Sequence, residues 1–259
     1  MPQHIDFEAI ENFRDFGGYA TACGLGVKAG RLYRSGHHNL ATDADLARLR
    51  ELGVGAIVDL RNRFEREREP GRRWSAFDAE VIESDLMSDQ PDWVEVMKAS
   101  PLTGDWWYEN TLDHYRDHAF EPRHIDLFRR MFRIIGEGTG AVVVHCAAGK
   151  DRTGVACALV HQVAGVHHDD IIADFLLTND ETRLERKMAA SRAFVERIAG
   201  RSCSDEALRV AVQVFPEYLD STFGSIRDRC GTIEGYLETV LGLDSALRTR
   251  IHERVLGAD

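Results

Sequence analysis

Four apolar residues, Ala141-Val142-Val143-Val144, run directly into His145-Cys146-Ala147-Ala148-Gly149-Lys150-Asp151-Arg152-Thr153-Gly154. The helix-like run Val155-Ala156-Cys157-Ala158-Leu159-Val160 follows at once. A short β-branched run reads as a buried strand, and the segment after the loop as a helix. A strand passing through a tight loop into a helix is the repeating unit of an α/β sheet. The expected fold class is therefore α/β: a central, largely parallel sheet flanked by helices.

The loop itself is chemically specific. A thiolate, not a thiol, is the good nucleophile, and a helix N-terminus or a nearby cation lowers a thiol's pKa. Cys146 has both within reach. The amides from Ala147 to Arg152 can curl round one point, with Gly149 allowing the tight turn. Such a nest binds phosphate- or sulfate-like anions, helped by the positive end of the helix that starts near Arg152. Arg152 adds a planar fork for two phosphate oxygens. Thr153 is placed to hydrogen-bond the thiolate. Lys150 is either a phosphate contact or a solvated charge. The chemistry that fits is phosphoryl transfer to Cys146, then hydrolysis of the phosphocysteine, with a carboxylic acid moving the protons. Asp151 lies inside the loop.

A second segment points to the same place. Val54 to Leu60 reads as a buried strand with Asp59 and Arg61 at its carboxyl end, where ligands bind in open parallel sheets. Asp59 is expected either to line the site or to bond loop amides as a structural carboxylate. The charge-dense stretch Arg61 to Arg73 is either a solvated face or a second anion site.

Flanking segments fill in the architecture. Residues 12–36 read as a glycine-rich strand-and-turn ribbon, Thr42 to Leu52 as a capped helix and Ala79 to Glu83 as a short strand. Asp105 to His118 and Pro122 to Gly136 read as amphipathic helices, with Trp106, Trp107, Leu112 and Tyr115 as core, the aromatics alternatively as a substrate platform. His168 to Leu177 is a further helix. Residues 180–256 are helical and charged with no β pattern, so 1–259 is expected as a single domain with 180–256 as a helical extension.

Composition narrows the function classes. A net charge of −11 makes nucleic acid an unsuitable partner and leaves phosphate binding to local positive charge. No apolar stretch is long enough for a membrane span, so an integral membrane protein is not expected. The N-terminus lacks the pattern of a signal peptide, and the expected location is cytoplasmic, with export by another route left open. Five cysteines at scattered positions do not suit a disulfide framework. His114, His118 and His124 lack tight ligand spacing, so neither metal nor cofactor is expected.

The loop resembles that of the bacterial Cys-x5-Arg tyrosine and lipid phosphatases, with their His-Cys-x-x-Gly-Lys-Asp-Arg-Thr-Gly signature. The likeness extends to Asn12-Phe13-Arg14-Asp15-Phe16-Gly17-Gly18-Tyr19, Leu32-Tyr33-Arg34-Ser35-Gly36, Val58-Asp59-Leu60-Arg61 and Asp174-Phe175-Leu176-Leu177-Thr178-Asn179. It implies a protein tyrosine phosphatase-like fold and a phosphorylated protein or phosphoinositide as substrate. It implies that Cys146 is the nucleophile, Arg152 the phosphate fork and Asp151 the general acid. His145 acts through its ring or holds the loop, and Arg14 and Asp15 brace the cradle. Asp92, in Gln90-Pro91-Asp92-Trp93, is the alternative acid. A member of this family carries a helical lid, for which Glu181 to Ala199 and Asp205 to Phe215 are the candidates. The rival readings are a rhodanese-like sulfurtransferase, whose loop is usually shorter, and a catalytically weak phosphate-binding module.

Overall fold

The computed structural model describes residues 4–87 and 93–258. Its first half runs β1 (Arg14–Asp15), β2 (Gly26–Val27), β3 (Leu32–Ser35), α1 (Asp43–Glu51), β4 (Val54–Asp59), α2 (Arg63–Arg68), β5 (Glu80–Ile82), α3 (Trp93–Ala99), α4 (Gly104–His118) and α5 (Pro122–Glu137). Then come β6 (Ala141–His145), α6 (Asp151–Ala164), α7 (His168–Leu176) and a 3-10 turn (Leu177–Asn179). The chain ends with α8 (Glu181–Ala199), α9 (Asp205–Val212), α10 (Pro216–Cys230), α11 (Ile233–Thr239), α12 (Ser245–Val255) and β7 (Leu256–Gly257).

The main sheet has the order β1-β3-β6-β4-β5. Only β1 runs antiparallel to its neighbour; β3, β6, β4 and β5 are parallel. Side chains alternate across it, as the pleat requires, with a register shift between Val54 and Ala56 of β4. Val142 and Val144 of β6, with Ala56 and Val58 of β4, face the large core beneath α4 to α7 and α10 to α12. Ala141 and Val143, with Val54 and Ile57, face a smaller core with Leu46 and Leu49 of α1. Both faces are covered, which is why β6 reads as a continuous apolar run. Helix α6 is buried on nearly every side, so its sequence is apolar all round rather than striped.

The local signals read from the sequence have physical counterparts. Thr42 caps α1 in a reciprocal box with Asp45, and Pro122 opens α5. The expected lack of β structure after residue 180 does not hold at the end of the chain, where Leu256–Gly257 pairs with Gly26–Val27. Two residues in a separate two-stranded sheet carry no readable period. Helices α8 and α9 are built on α3 and α4 through a third, separate apolar cluster that includes Met97, Leu102, Trp107, Val195 and Leu208. Among the described residues, no helix is long and apolar enough to cross a membrane.

Candidate active site

Strand β6 ends at His145, and Cys146 follows at the carboxyl edge of the sheet with 3% exposure. The loop then turns into α6. Each carbonyl of the turn is directed outward and held. Ala147 O accepts from the His37 amide at 3.1 Å. Ala148 O accepts from Arg183 Nη2 at 3.2 Å, and Gly149 O from Asn12 Nδ2 at 2.7 Å and Arg34 Nη2 at 3.2 Å. A planar trans peptide points its N–H opposite its C=O. The amides of Ala148, Gly149 and Lys150 therefore face the inside of the turn, an arrangement that can hold an anion. Gly149 has φ +64°, and a Cβ there would sit 2.5 Å from the Ser35 carbonyl.

Arg152, in the first turn of α6, is clasped by Glu65 of α2. Its Nη1 and Nη2 donate to the two carboxylate oxygens at 2.6 and 2.8 Å. Burial alone would lower the Arg152 pKa, and Glu65 more than reverses it, so the guanidinium stays charged. Burial likewise pushes Glu65 up, and Arg152 overrides it, holding the carboxyl at about 2. Five N–H donors on the fork leave others to meet an anion. Thr153 is fully buried, and its hydroxyl has no hydrogen-bond partner among the described residues.

Asp151 opens α6 and accepts a 2.9 Å hydrogen bond from Tyr115 Oη at its Oδ1. Lys150 Nζ lies 3.5 Å from the same oxygen. The Lys150 ammonium, read from sequence as a phosphate contact or a solvated charge, instead donates to Ala211 O at 2.7 Å and Gln213 O at 3.2 Å. It thus caps the carboxyl end of α9. Asp92 lies outside the described residues.

Asp59, Arg61 and His145 form a buried layer under the loop. Asp59 pairs with His145 across β4 and β6. Its carboxylate accepts from Arg61 Nε at 2.9 Å, from Arg61 Nη2 at 2.7 Å and from the Arg61 amide at 3.0 Å. Burial pushes Asp59 up, and His145 and Arg61 outweigh it, leaving the carboxyl well below its usual range. His145 donates through Nδ1 to Cys146 O at 3.2 Å and stacks on His38 at 4.7 Å. Burial lowers its pKa to about 4 despite Asp59. Asp59 sits at 1% exposure and is saturated by Arg61, as a structural carboxylate would be.

A second buried layer braces the other flank. Arg34 Nη1 donates to Asp174 Oδ2 at 2.7 Å, and Arg14 Nη2 to Asp174 O at 2.9 Å. Arg14 Nη1 also holds Asn12 Oδ1 at 2.6 Å, orienting the amide that grips Gly149. Arg183 of α8 ties Ala148 O to Thr178 O.

Several of these partners were not singled out as site residues from the sequence. Glu65 had a signal, the Asn62-x-x-Glu65 capping pattern, which says nothing of Arg152. Arg34 and Asp174 stand in segments that carried the family resemblance, whereas Tyr115 read as an ordinary core aromatic. The charged stretch Arg61 to Arg73 proves mixed. Arg61 and Glu65 are turned inward on buried partners, and Arg63 and Glu67 form an exposed pair.

The family model described as "Tyrosine phosphatase family" matches residues 5–257. The "Putative tyrosine-protein phosphatase H16_A0669" of Cupriavidus necator is 34% identical over 93% of this chain and 85% of its own length. The triple specificity protein phosphatase PtpB of Mycobacterium tuberculosis is 29% identical over 95% of this chain and 96% of its own. A crystal structure of P. aeruginosa TpbA covers 75% of this chain and 96% of its own at 20% identity, with a TM-score of 0.31. Matched by the model over nearly its whole length, the chain belongs to the tyrosine phosphatase family.

Proposed function

We propose that this protein hydrolyses phosphomonoesters, phosphotyrosine foremost, through a phosphocysteine at Cys146. The observation that carries the reading is the joint placement of an inward-facing amide nest, a buried cysteine at its base and an arginine fork locked by Glu65. The nest and Arg152 hold the phosphoryl oxygens and stabilise the charge that gathers on them in the transition state. The Cys146 thiolate attacks phosphorus and the P–O bond to the leaving group breaks, while Asp151 gives that oxygen its proton. Water then attacks the phosphocysteine and returns a proton to Asp151, and the P–S bond breaks to restore the thiolate. The Thr153 hydroxyl, buried in the same first helical turn, stabilises the departing sulfur.

Helices α8 and α9 act as a lid in this reading, because Arg183 and Lys150 tie them to the loop above a nearly sealed Cys146. The domain is single, with the lid and the later helices as its extension. The name of the mycobacterial relative, a triple specificity protein phosphatase, supports protein substrates beyond phosphotyrosine, and a phosphoinositide is the further candidate. Free cysteines suit a reducing, cytoplasmic setting.

The test is hydrolysis of p-nitrophenyl phosphate in thiol and EDTA by the wild type and by Cys146→Ser. Turnover that needs thiol, ignores EDTA and vanishes in the variant is the expected result. Phosphotyrosine peptide and phosphoinositide then compete as substrates. An inactive wild type that still binds phosphate would replace this reading with a phosphate-binding module.

A further inference from the structure

We propose that Tyr115 is a positioning residue for the reaction, fixing Asp151 by one carboxylate oxygen so that the other faces the leaving group and, later, water. The proposal rests on Asp151 being the general acid and deepens that assignment.

The geometry sorts the two oxygens of Asp151. The Tyr115 phenol donates to Oδ1 at 2.9 Å, and Lys150 Nζ approaches the same atom at 3.5 Å. Neither contact touches Oδ2. A carboxyl group that accepts a donor at Oδ1 carries its own proton at Oδ2. That proton is the one to be transferred, and it must come within about 2.6–3.2 Å of the leaving oxygen.

The phenol is itself immobile. Tyr115 has 0% exposure, stacks on Tyr218 at 5.0 Å and meets Phe175 edge-on at 6.2 Å. Its carbonyl accepts from Thr222 Oγ1 at 2.8 Å, which fixes α4 to α10. Three helices thus set the position of one hydroxyl. Burial, reinforced by the Asp151 carboxylate, pushes the phenol well above 10, so it remains a donor throughout turnover. Asp151, by contrast, is 31% exposed at its side chain and would rotate freely without a partner.

The experiment measures kcat/KM over phosphate esters running from dinitrophenyl phosphate, a good leaving group, to an alkyl phosphate, a poor one. Wild type, Tyr115→Phe, Asp151→Asn and the double variant are compared. Tyr115→Phe is expected to lose about tenfold on the alkyl ester and no more than about twofold on dinitrophenyl phosphate. Asp151→Asn should lose more in the same pattern, and the double variant no more than Asp151→Asn. An equal loss across the series would mark Tyr115 as packing only and overturn the proposal. So would a Tyr115→Phe effect that survives undiminished on the Asp151→Asn background, or a wild-type profile in Tyr115→Phe beside a selective loss in Asp151→Asn. A flat response in Asp151→Asn itself would remove the general-acid assignment, and this proposal with it. Unchanged vanadate affinity shows that the loop is intact. Should Tyr115→Phe fail to fold, fluorotyrosine at 115 keeps the ring and strengthens the donor. A changed leaving-group dependence then supports the proposal, and an unchanged one overturns it.

Discussion

Glu65 joins two structures through one carboxylate. Its Oε2 accepts from the Asn62 amide at 2.9 Å, closing the cap of α2, and from Arg152 at 2.6 Å. Glutamine keeps a cap but loses the charge and one acceptor, so the fork is no longer matched at both prongs. Glu65→Gln is expected to lower kcat/KM by about 10- to 100-fold, since small misplacements of a reacting group cost that much. Steady-state kinetics on p-nitrophenyl phosphate, beside a melting curve to separate folding from function, checks it. Gly149 is constrained by sterics instead. A left-handed residue with a Cβ costs about 1–2 kcal/mol, and here the Cβ would also press on the Ser35 carbonyl at 2.5 Å. Gly149→Ala is expected to destabilise the fold by about 2 kcal/mol or more and to weaken vanadate binding. Urea unfolding and vanadate titration read the two effects, and a variant unchanged in both would contradict the packing described for this turn.

At the scale of elements, α8 and α9 differ from the rest. Their apolar contacts lie in a cluster with α3 and the start of α4, apart from the two cores on the sheet. Their links to the loop are polar: Arg183 to Ala148 O, and Lys150 to Ala211 O and Gln213 O. Elements with their own small cluster open at lower free energy than the sheet. Amides of α8 and α9 are therefore expected to exchange with solvent ahead of those of β4 and β6. Lys150→Met should speed exchange in α9 by about tenfold and leave β6 unchanged. Equal protection in α9 and β6 would contradict this division. The same elements show what the sequence made legible. β6, α6 and the turn between them are local, so a continuous apolar run, a glycine and a helix start were enough to place Cys146 and Arg152. Glu65 and Arg152 are 87 positions apart and Tyr115 and Asp151 36 apart, and pairs at that range carry no period or cap to read. Lys150 illustrates the limit from the other side, since its residue type fits a phosphate contact and its neighbours make it a helix cap.

At the scale of the whole molecule, the buried histidines set how the fold responds to acid. Burial holds His145 at about 4 and places His38, His118 and His124 well below 6.5. An unfolded chain takes up these protons near pH 6.5, whereas the folded one refuses them. Below pH 6.5 the unfolded state thus binds more protons, and stability falls as pH drops. For His145 the loss runs from about 6.5 down to about 4, at about 1.4 kcal/mol per pH unit. Glu65 adds a lower window. Its folded pKa of about 2 lies beneath the ordinary 4.5, so its stabilisation is complete above 4.5 and disappears as pH falls towards 2. Both windows have the same sign, and neither offsets the other. Urea midpoints are expected to fall steadily from pH 7 to pH 4, and His145→Asn should make that fall shallower by about one proton's share. Asparagine retains a donor for the Cys146 carbonyl but has no ring to protonate on unfolding. A midpoint that stays level between pH 6.5 and pH 4.5 would mean that these histidines titrate alike in both states, which their burial in this fold does not permit.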